Sequence, residues 1–132
     1  MAAHHFEETL RLNPALTSVM RFPKTDIEFE GLAIERDTPL YVMLSAACHD
    51  PDTFPDPYRF DIDRPNYRDH MGFGAGQHTC IGNVVARAVI PQLIAEAARR
   101  YPGLRRSAPE EALKFDIANP RVRHLASVRL TA

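Results

Sequence analysis

The sequence predicts a mainly α protein with small β-sheets (α+β), on three observations. Residues 81–100 form a long run of helix formers that is apolar on most sides. Residues 19–42 alternate in short apolar–polar runs broken by turn residues, the signature of small strands. Residues 50–65 are crowded with proline and aspartate, which no long regular element can cross. The 132 residues are 45% hydrophobic and 25% charged, enough apolar material for a core. A formal charge of −1 and a pI near 6.6 give no footing for non-specific binding of nucleic acid or an anionic membrane. The two cysteines, Cys48 and Cys80, are too few for a disulfide scaffold. With no signal peptide at its start and no apolar run able to span a bilayer, the chain reads as cytoplasmic.

Taken in order, the first element is a helix over Ala3–Leu12, ended by Asn13–Pro14. Phe6 and Leu10, one turn apart, give it an apolar face, and Glu8 and Arg11 lie on neighbouring turns. It starts almost at once with no capping residue before it, which points to truncation. Val19, Ile27, Phe29, Ile34 and Tyr41 then mark short strands, with turns at Lys24–Asp26, Gly31 and Asp37–Pro39. Leu44–Cys48 suits a single helical turn. The stretch "DPDTFPDPYRFDIDRP" is expected as an ordered, meandering loop, packed through Phe54, Tyr58, Phe60 and Ile62. The helix at 81–100 is expected to be buried, kinked at Pro91 and stopped by Pro102–Gly103. Lys114–Ile117 and Ser127–Leu130 complete the list as strands. The faces outnumber what a chain of this size can cover, so a missing partner surface is expected.

The chemistry concentrates in "FGAGQHTCIG", residues 73–82. Gly74, Gly76 and Gly82 open the backbone to conformations closed to other residues, or let it approach something bulky. Cys80 lies just before the long helix, whose dipole and free N–H groups favour a thiolate. A structural zinc site needs three or four ligands, and neither C-x-x-C nor H-x-x-x-H occurs. A phosphate loop is excluded because G-K-[ST] is absent. A nucleophilic cysteine with His78 as base stays open, although a spacing of two on a tight loop suits it poorly. One thiolate suffices as a metal ligand when a cofactor supplies the remaining coordination, as in haem.

At these residues the chain resembles the cytochromes P450. "FGAGQHTCIG" matches every fixed position of the haem-binding signature F-G-x-G-x-[HR]-x-C-x-G. "EETLRLNP" is similar to the E-x-x-R helix and "FPDPYRFDIDRP" to the P-x-x-F meander of that family, in the family's order and spacing. The resemblance covers nearly all of residues 1–132. It implies the C-terminal, haem-binding part of the P450 fold, truncated, and closest in style to bacterial members.

The resemblance implies roles for particular residues. Cys80 would be the axial thiolate of haem b iron. Phe73 would shield the sulfur, while Gly74, Gly76 and Gly82 would let the loop lie close under the porphyrin. His78 and Arg21 would pair with haem propionates. Glu8, Arg11 and Arg59 would form a structural ion network joining helix to meander. The activity implied is a monooxygenase acting on a small organic substrate, with electrons from a partner such as ferredoxin and its reductase. The pattern departs at Val89, where an acid is common, and at Pro91. The distal helix with its acid–alcohol pair is absent, and Glu8–Thr9 matches that pair in letters only. The isolated chain is therefore expected not to oxidise substrate. A truncated product binding haem weakly or not at all is the alternative, and a thiol enzyme or redox sensor using Cys80 without haem is a third reading.

Overall fold

The computed structural model describes residues 1–107, 114–115, 122, 125–128 and 130–131. Helix α1 (Ala2–Leu12) starts from Met1 with no side-chain cap and ends where Asn13 leaves helical geometry ahead of Pro14. Its buried face is Phe6, Glu7, Glu8 and Arg11, so three of its four buried residues are charged. Burying charge is tolerable only where each group finds partners. Among the described residues no buried side-chain N or O lacks a hydrogen bond.

Four short strands follow in two antiparallel pairs. β1 (Val19–Arg21) pairs with β4 (Leu40–Val42), Val19 opposite Val42. Between them, β2 (Ile27–Phe29) and β3 (Leu32–Ile34) form a hairpin turning at Glu30–Gly31. Nesting the hairpin inside the outer pair brings Arg21, at the end of β1, beside Leu40. The single turn of α2 (Leu44–Ala47) then drops Leu44 and Cys48 into the core with Phe6 and Phe54.

Residues 50–75 contain no helix or strand, in keeping with their prolines. Of the four side chains expected to pack there, Phe54 is fully buried, whereas Tyr58 is 81% exposed and Phe60 also faces solvent. The segment is held by its backbone and by arginines instead, as described below. Helix α3 (Asn83–Arg100) contains Pro91 without being ended by it, and Pro91 is its buried residue. The expectation of a buried helix is corrected: Ile81 just ahead of it is 98% exposed, and Val84, Val85, Val89 and Leu93 are open to solvent. The reason is coverage, since α1 packs on one side of α3 and the remaining apolar sides meet no comparable neighbour among the described residues.

At the C-terminal end β5 (Arg105–Arg106) pairs with β8 (Leu130–Thr131), and β6 (Lys114–Phe115) with β7 (Leu125–Ser127). Leu16 bridges to Val122. The expected strand 114–117 is thus seen at its first two residues, and Ile117 and His124 lie outside the described residues. The second expected strand, 127–130, is divided between the end of β7 and the start of β8. No helix among the described residues is long and apolar enough to cross a membrane.

Candidate functional site

The glycine-rich segment folds into a tight loop before α3. The Gly74 N–H donates to the Met71 carbonyl, and a 3-10 turn at Gly76–His78 is closed by Thr79, whose N–H and Oγ1 both reach the Gly76 carbonyl. The Cys80 N–H donates to the Phe73 carbonyl at 2.8 Å, cinching the two ends of the loop. Gly74 and Gly76 have φ of 70° and 69°, a region that strains any residue with a Cβ. A Cβ at Gly76 would meet nothing within 4 Å, so the loop surface there is open to a bulky neighbour.

The loop walls a cavity of about 1020 Å³. Leu16, Val42, Leu44 and Met71 supply apolar lining, while Arg21, Gln77, His78, Thr79 and Cys80 bring the polar groups. Cys80 is a free, exposed thiol on this wall. Arg21 lines the cavity and hydrogen-bonds the Met20 carbonyl through Nη1. Phe73, Gly74, His78 and Cys80, all singled out by sequence, therefore share one cavity with Arg21, more than fifty residues earlier in the chain. Gly82 stands behind the thiol, where a Cβ would sit 3.7 Å from Cys80 Sγ.

Behind the cavity, α1 carries a buried ion network. Arg11 grips Glu8 with two parallel bonds of 2.8 Å, Nε to Oε2 and Nη2 to Oε1. Its remaining N–H groups donate to the carbonyls of Cys48, Pro57 and Arg59. Arg64 completes the network: its Nε donates to Glu8 Oε1 at 3.0 Å, and its Nη atoms hold the carbonyls of Pro55, Asp56 and Arg59. The expected third member, Arg59, is corrected by this geometry. Its side chain is 65% exposed and pairs with Asp61, and it offers the network only its carbonyl. The side chain of Arg64 is 6% exposed, so the buried role falls to it. Burial pushes the Glu8 carboxyl up, but hydrogen bonds from Arg11, the Asp61 N–H and Arg64 outweigh it and hold the group below its ordinary value.

A second cluster, unforeseen from sequence, surrounds the adjacent Glu7. Arg87 of α3 donates to it from Nε at 2.7 Å and Nη2 at 3.2 Å, and His70 meets it at 3.0 Å. The Gly72 N–H, which can only donate, points at His70 Nδ1, so Nδ1 accepts and Nε2 carries the proton given to Glu7. Burial holds His70 below the usual histidine range, opposed by Glu7. The Glu7 carboxyl is raised by burial but lowered further by Arg87 and His70, with a net downward shift. The Arg87 guanidinium also lies 4.8 Å over the Phe73 ring. The only sequence signal for this cluster is the doubled acid at 7–8, which places carboxylates on two adjacent stripes of one helix. Cys48, by contrast, is buried, and burial pushes its thiol up.

Comparison with known proteins places this arrangement. A family model for cytochrome P450 matches residues 3–103. The chain is 43% identical over 112 residues to biflaviolin synthase of Streptomyces coelicolor, covering 83% of this chain and 27% of that protein. It is 44% identical over 82 residues to a putative cytochrome P450 140 of Mycobacterium tuberculosis, 62% of this chain and 19% of that one. Among solved structures, a mycinamicin VIII C21 methyl hydroxylase of Micromonospora griseorubida superposes with a TM-score of 0.92 at 29% identity, over 99% of this chain and 33% of the other. P450BioI in complex with an acyl carrier protein ligated to hexadec-9Z-enoic acid gives 0.91 at 28% identity, again over 99% and 33%. The chain belongs to the cytochrome P450 family. It spans about a third of the length of those solved structures and about a fifth to a quarter of the curated relatives.

Proposed function

We propose that this chain carries the haem-binding side of a P450 monooxygenase site, with Cys80 as the thiolate ligand of haem b iron. One observation carries the reading: the exposed Cys80 thiol stands on a cavity of about 1020 Å³ whose other polar lining includes Arg21 and His78. An apolar plate with two carboxylates suits such a chamber, which offers aliphatic walls, one soft ligand and cationic or hydrogen-bonding groups apart from it. Arg21 and His78 would hold the propionates, Gly74 on the cavity wall would let the ring come close, and Gly76, outside the cavity lining, would serve the turn of the loop. Phe73, with the Arg87 guanidinium over its face, would keep water from the sulfur. The buried Glu8–Arg11–Arg64 network would fix helix and loop as one wall, and Arg59 would add its carbonyl.

Haem bound there would supply oxygen activation, placing one atom of dioxygen into a small organic substrate and the other into water, with two electrons from outside. An electron-transfer protein such as ferredoxin with its reductase fits that requirement. The chain's own residues would hold the cofactor, charge-balance it and shield its ligand. Substrate turnover by the 132 residues alone is not expected, because they supply the ligand side of the site.

The test is reconstitution with haem and the ferrous-CO spectrum. A thiolate-type Soret band that vanishes in Cys80→Ser and persists in Cys48→Ser is the expected result. A wild-type chain without that band, or a band indifferent to Cys80→Ser, would overturn the assignment. The latter outcome with a reactive Cys80 would favour a thiol enzyme or redox sensor instead.

A further inference from the structure

Glu7 is 1% exposed and belongs to neither the cavity wall nor the Glu8 network, yet two routes lead from it to the peptide groups of Cys80, one hydrogen-bonded throughout and one that crosses the Gly72–Phe73 backbone. The first passes along α3. Glu7 binds Arg87, Arg87 Nη1 donates to Asn83 Oδ1 at 3.2 Å, and Asn83 Nδ2 donates to the Cys80 carbonyl at 2.5 Å. The second passes through the loop. His70 donates to Glu7 and accepts from the Gly72 N–H, and the next residue, Phe73, accepts the Cys80 N–H at 2.8 Å. One route thus ends on the Cys80 carbonyl and the other on its N–H, which together fix the direction of its Cα–Cβ bond.

The polarity of each link is determined. Arg87 can only donate, so Asn83 must present its carbonyl oxygen there and its amino group to Cys80. A carboxylate at position 7 is the one acceptor-only group that can end both routes. A simple clamp between α1 and α3 would require the Arg87 bonds alone, not the onward bonds of Asn83 and His70.

We propose that Glu7 is a positioning residue for the Cys80 thiol, acting through Arg87–Asn83 on one side and His70–Gly72 on the other. The proposal rests on the reading of Cys80 as the haem ligand. Glu7 touches neither the thiol nor the cavity, and its effect is to limit where the sulfur can point.

Two variants of the full 132-residue chain test it. Glu7→Gln keeps the shape of the origin but introduces a donor. Asn83→Asp keeps the acceptor for Arg87, so helix packing is retained, while losing the side-chain donor to the Cys80 carbonyl and leaving only the backbone N–H of residue 83 there, at 3.2 Å. The first readout needs no haem: alkylation of Cys80 by iodoacetamide, with buried Cys48 as internal reference. Both variants should change the Cys80 rate by about threefold or more, the scale of one lost hydrogen bond. The second readout is the share of thiolate- against thiol-ligated ferrous-CO absorbance after haem loading, which should fall in both. Wild-type alkylation and wild-type band shares in the two variants would overturn the proposal, even if Glu7→Gln lowers the melting temperature. Should Glu7→Gln fail to fold, Asn83→Asp decides by the same criteria. A wild-type chain with no thiolate band would defeat the haem reading, and the alkylation rates would still decide the role of Glu7.

Discussion

Glu8 accepts the Arg64 guanidinium at 3.0 Å across 56 residues of sequence, both side chains buried, while Arg59 faces solvent five residues earlier. The two arginines therefore differ sharply in what their loss should cost. Removing Arg64 leaves a buried carboxylate short of a partner, with an expected penalty of about 3–5 kcal/mol. Removing Arg59 breaks an exposed pair with Asp61 and should cost at most about 1 kcal/mol. Urea unfolding of Arg64→Ala and Arg59→Ala, followed by circular dichroism, checks the ranking. Equal losses would return Arg59 to the network.

Acidification should act on the Glu7 cluster in two stages. The folded pKa of His70 is depressed, so above about 6.5 both states hold it neutral and it has no effect. As pH falls below that, the unfolded chain takes up a proton that the folded one resists, and stability declines. Protonation would also cost the Gly72 bond to Nδ1, and Arg87, Arg11 and Arg68 stand on the same side as further opposing charges, with Glu7 alone in favour. Glu7 and Glu8, held below 4.5, lose their contributions only at lower pH, as they are forced to protonate. Melting temperatures between pH 7.5 and 5 should drop in the wild type and flatten in His70→Gln.

Gly72 is required for space. A Cβ there would lie 2.6 Å from Leu10 Cγ and 3.0 Å from His70 Nδ1. Gly72→Ala should displace the helix or the imidazole, at a cost of about 1–3 kcal/mol. Gly76→Ala meets no atom and carries only the left-handed backbone penalty of about 1–2 kcal/mol. Leu10→Ala should relieve the first variant and leave the second unchanged, as a double-mutant cycle would show.

The open side of α3 should tolerate charge. Val85→Lys and Leu93→Lys replace exposed apolar side chains, so each should change stability by about 0.5 kcal/mol or less. Both should reduce self-association of the chain, measured by light scattering or sedimentation. A large loss of stability would mean that this side is packed in solution.

Much of this architecture was legible in the residues. The helix ended by Asn13–Pro14, the four short strands, the irregular 50–65 stretch and the Cys80 loop follow from period, turn residues and proline. The buried side of α1 was not, because hydrophobic pattern locates apolar faces and this face is Glu7, Glu8 and Arg11. Phe6 and Leu10 pointed in nearly the right direction, with Phe6 buried and Leu10 on the cavity. Choosing Arg64 over Arg59 needs the path of a loop without periodicity, which local sequence does not encode. No sequence motif surrounds His70, whose role rests on Glu7 and the Gly72 N–H meeting its two nitrogens across the fold. The exposure of α3 was hidden for the opposite reason: its composition is that of a buried helix, and burial depends on neighbours as well as composition.

Arg11 and Arg64 hold the irregular segment by the carbonyls of Pro55, Asp56, Pro57 and Arg59, and Arg11 ties it to the end of α2 through the Cys48 carbonyl. Every residue type offers a carbonyl, so apart from Arg64 itself this grip does not depend on which side chains the segment displays. Its outward positions, Tyr58 and Arg59 among them, are free to drift over evolutionary time while the path of the main chain stays put. Two arginines and one glutamate can thus anchor a segment whose outer surface is remade for each new neighbour.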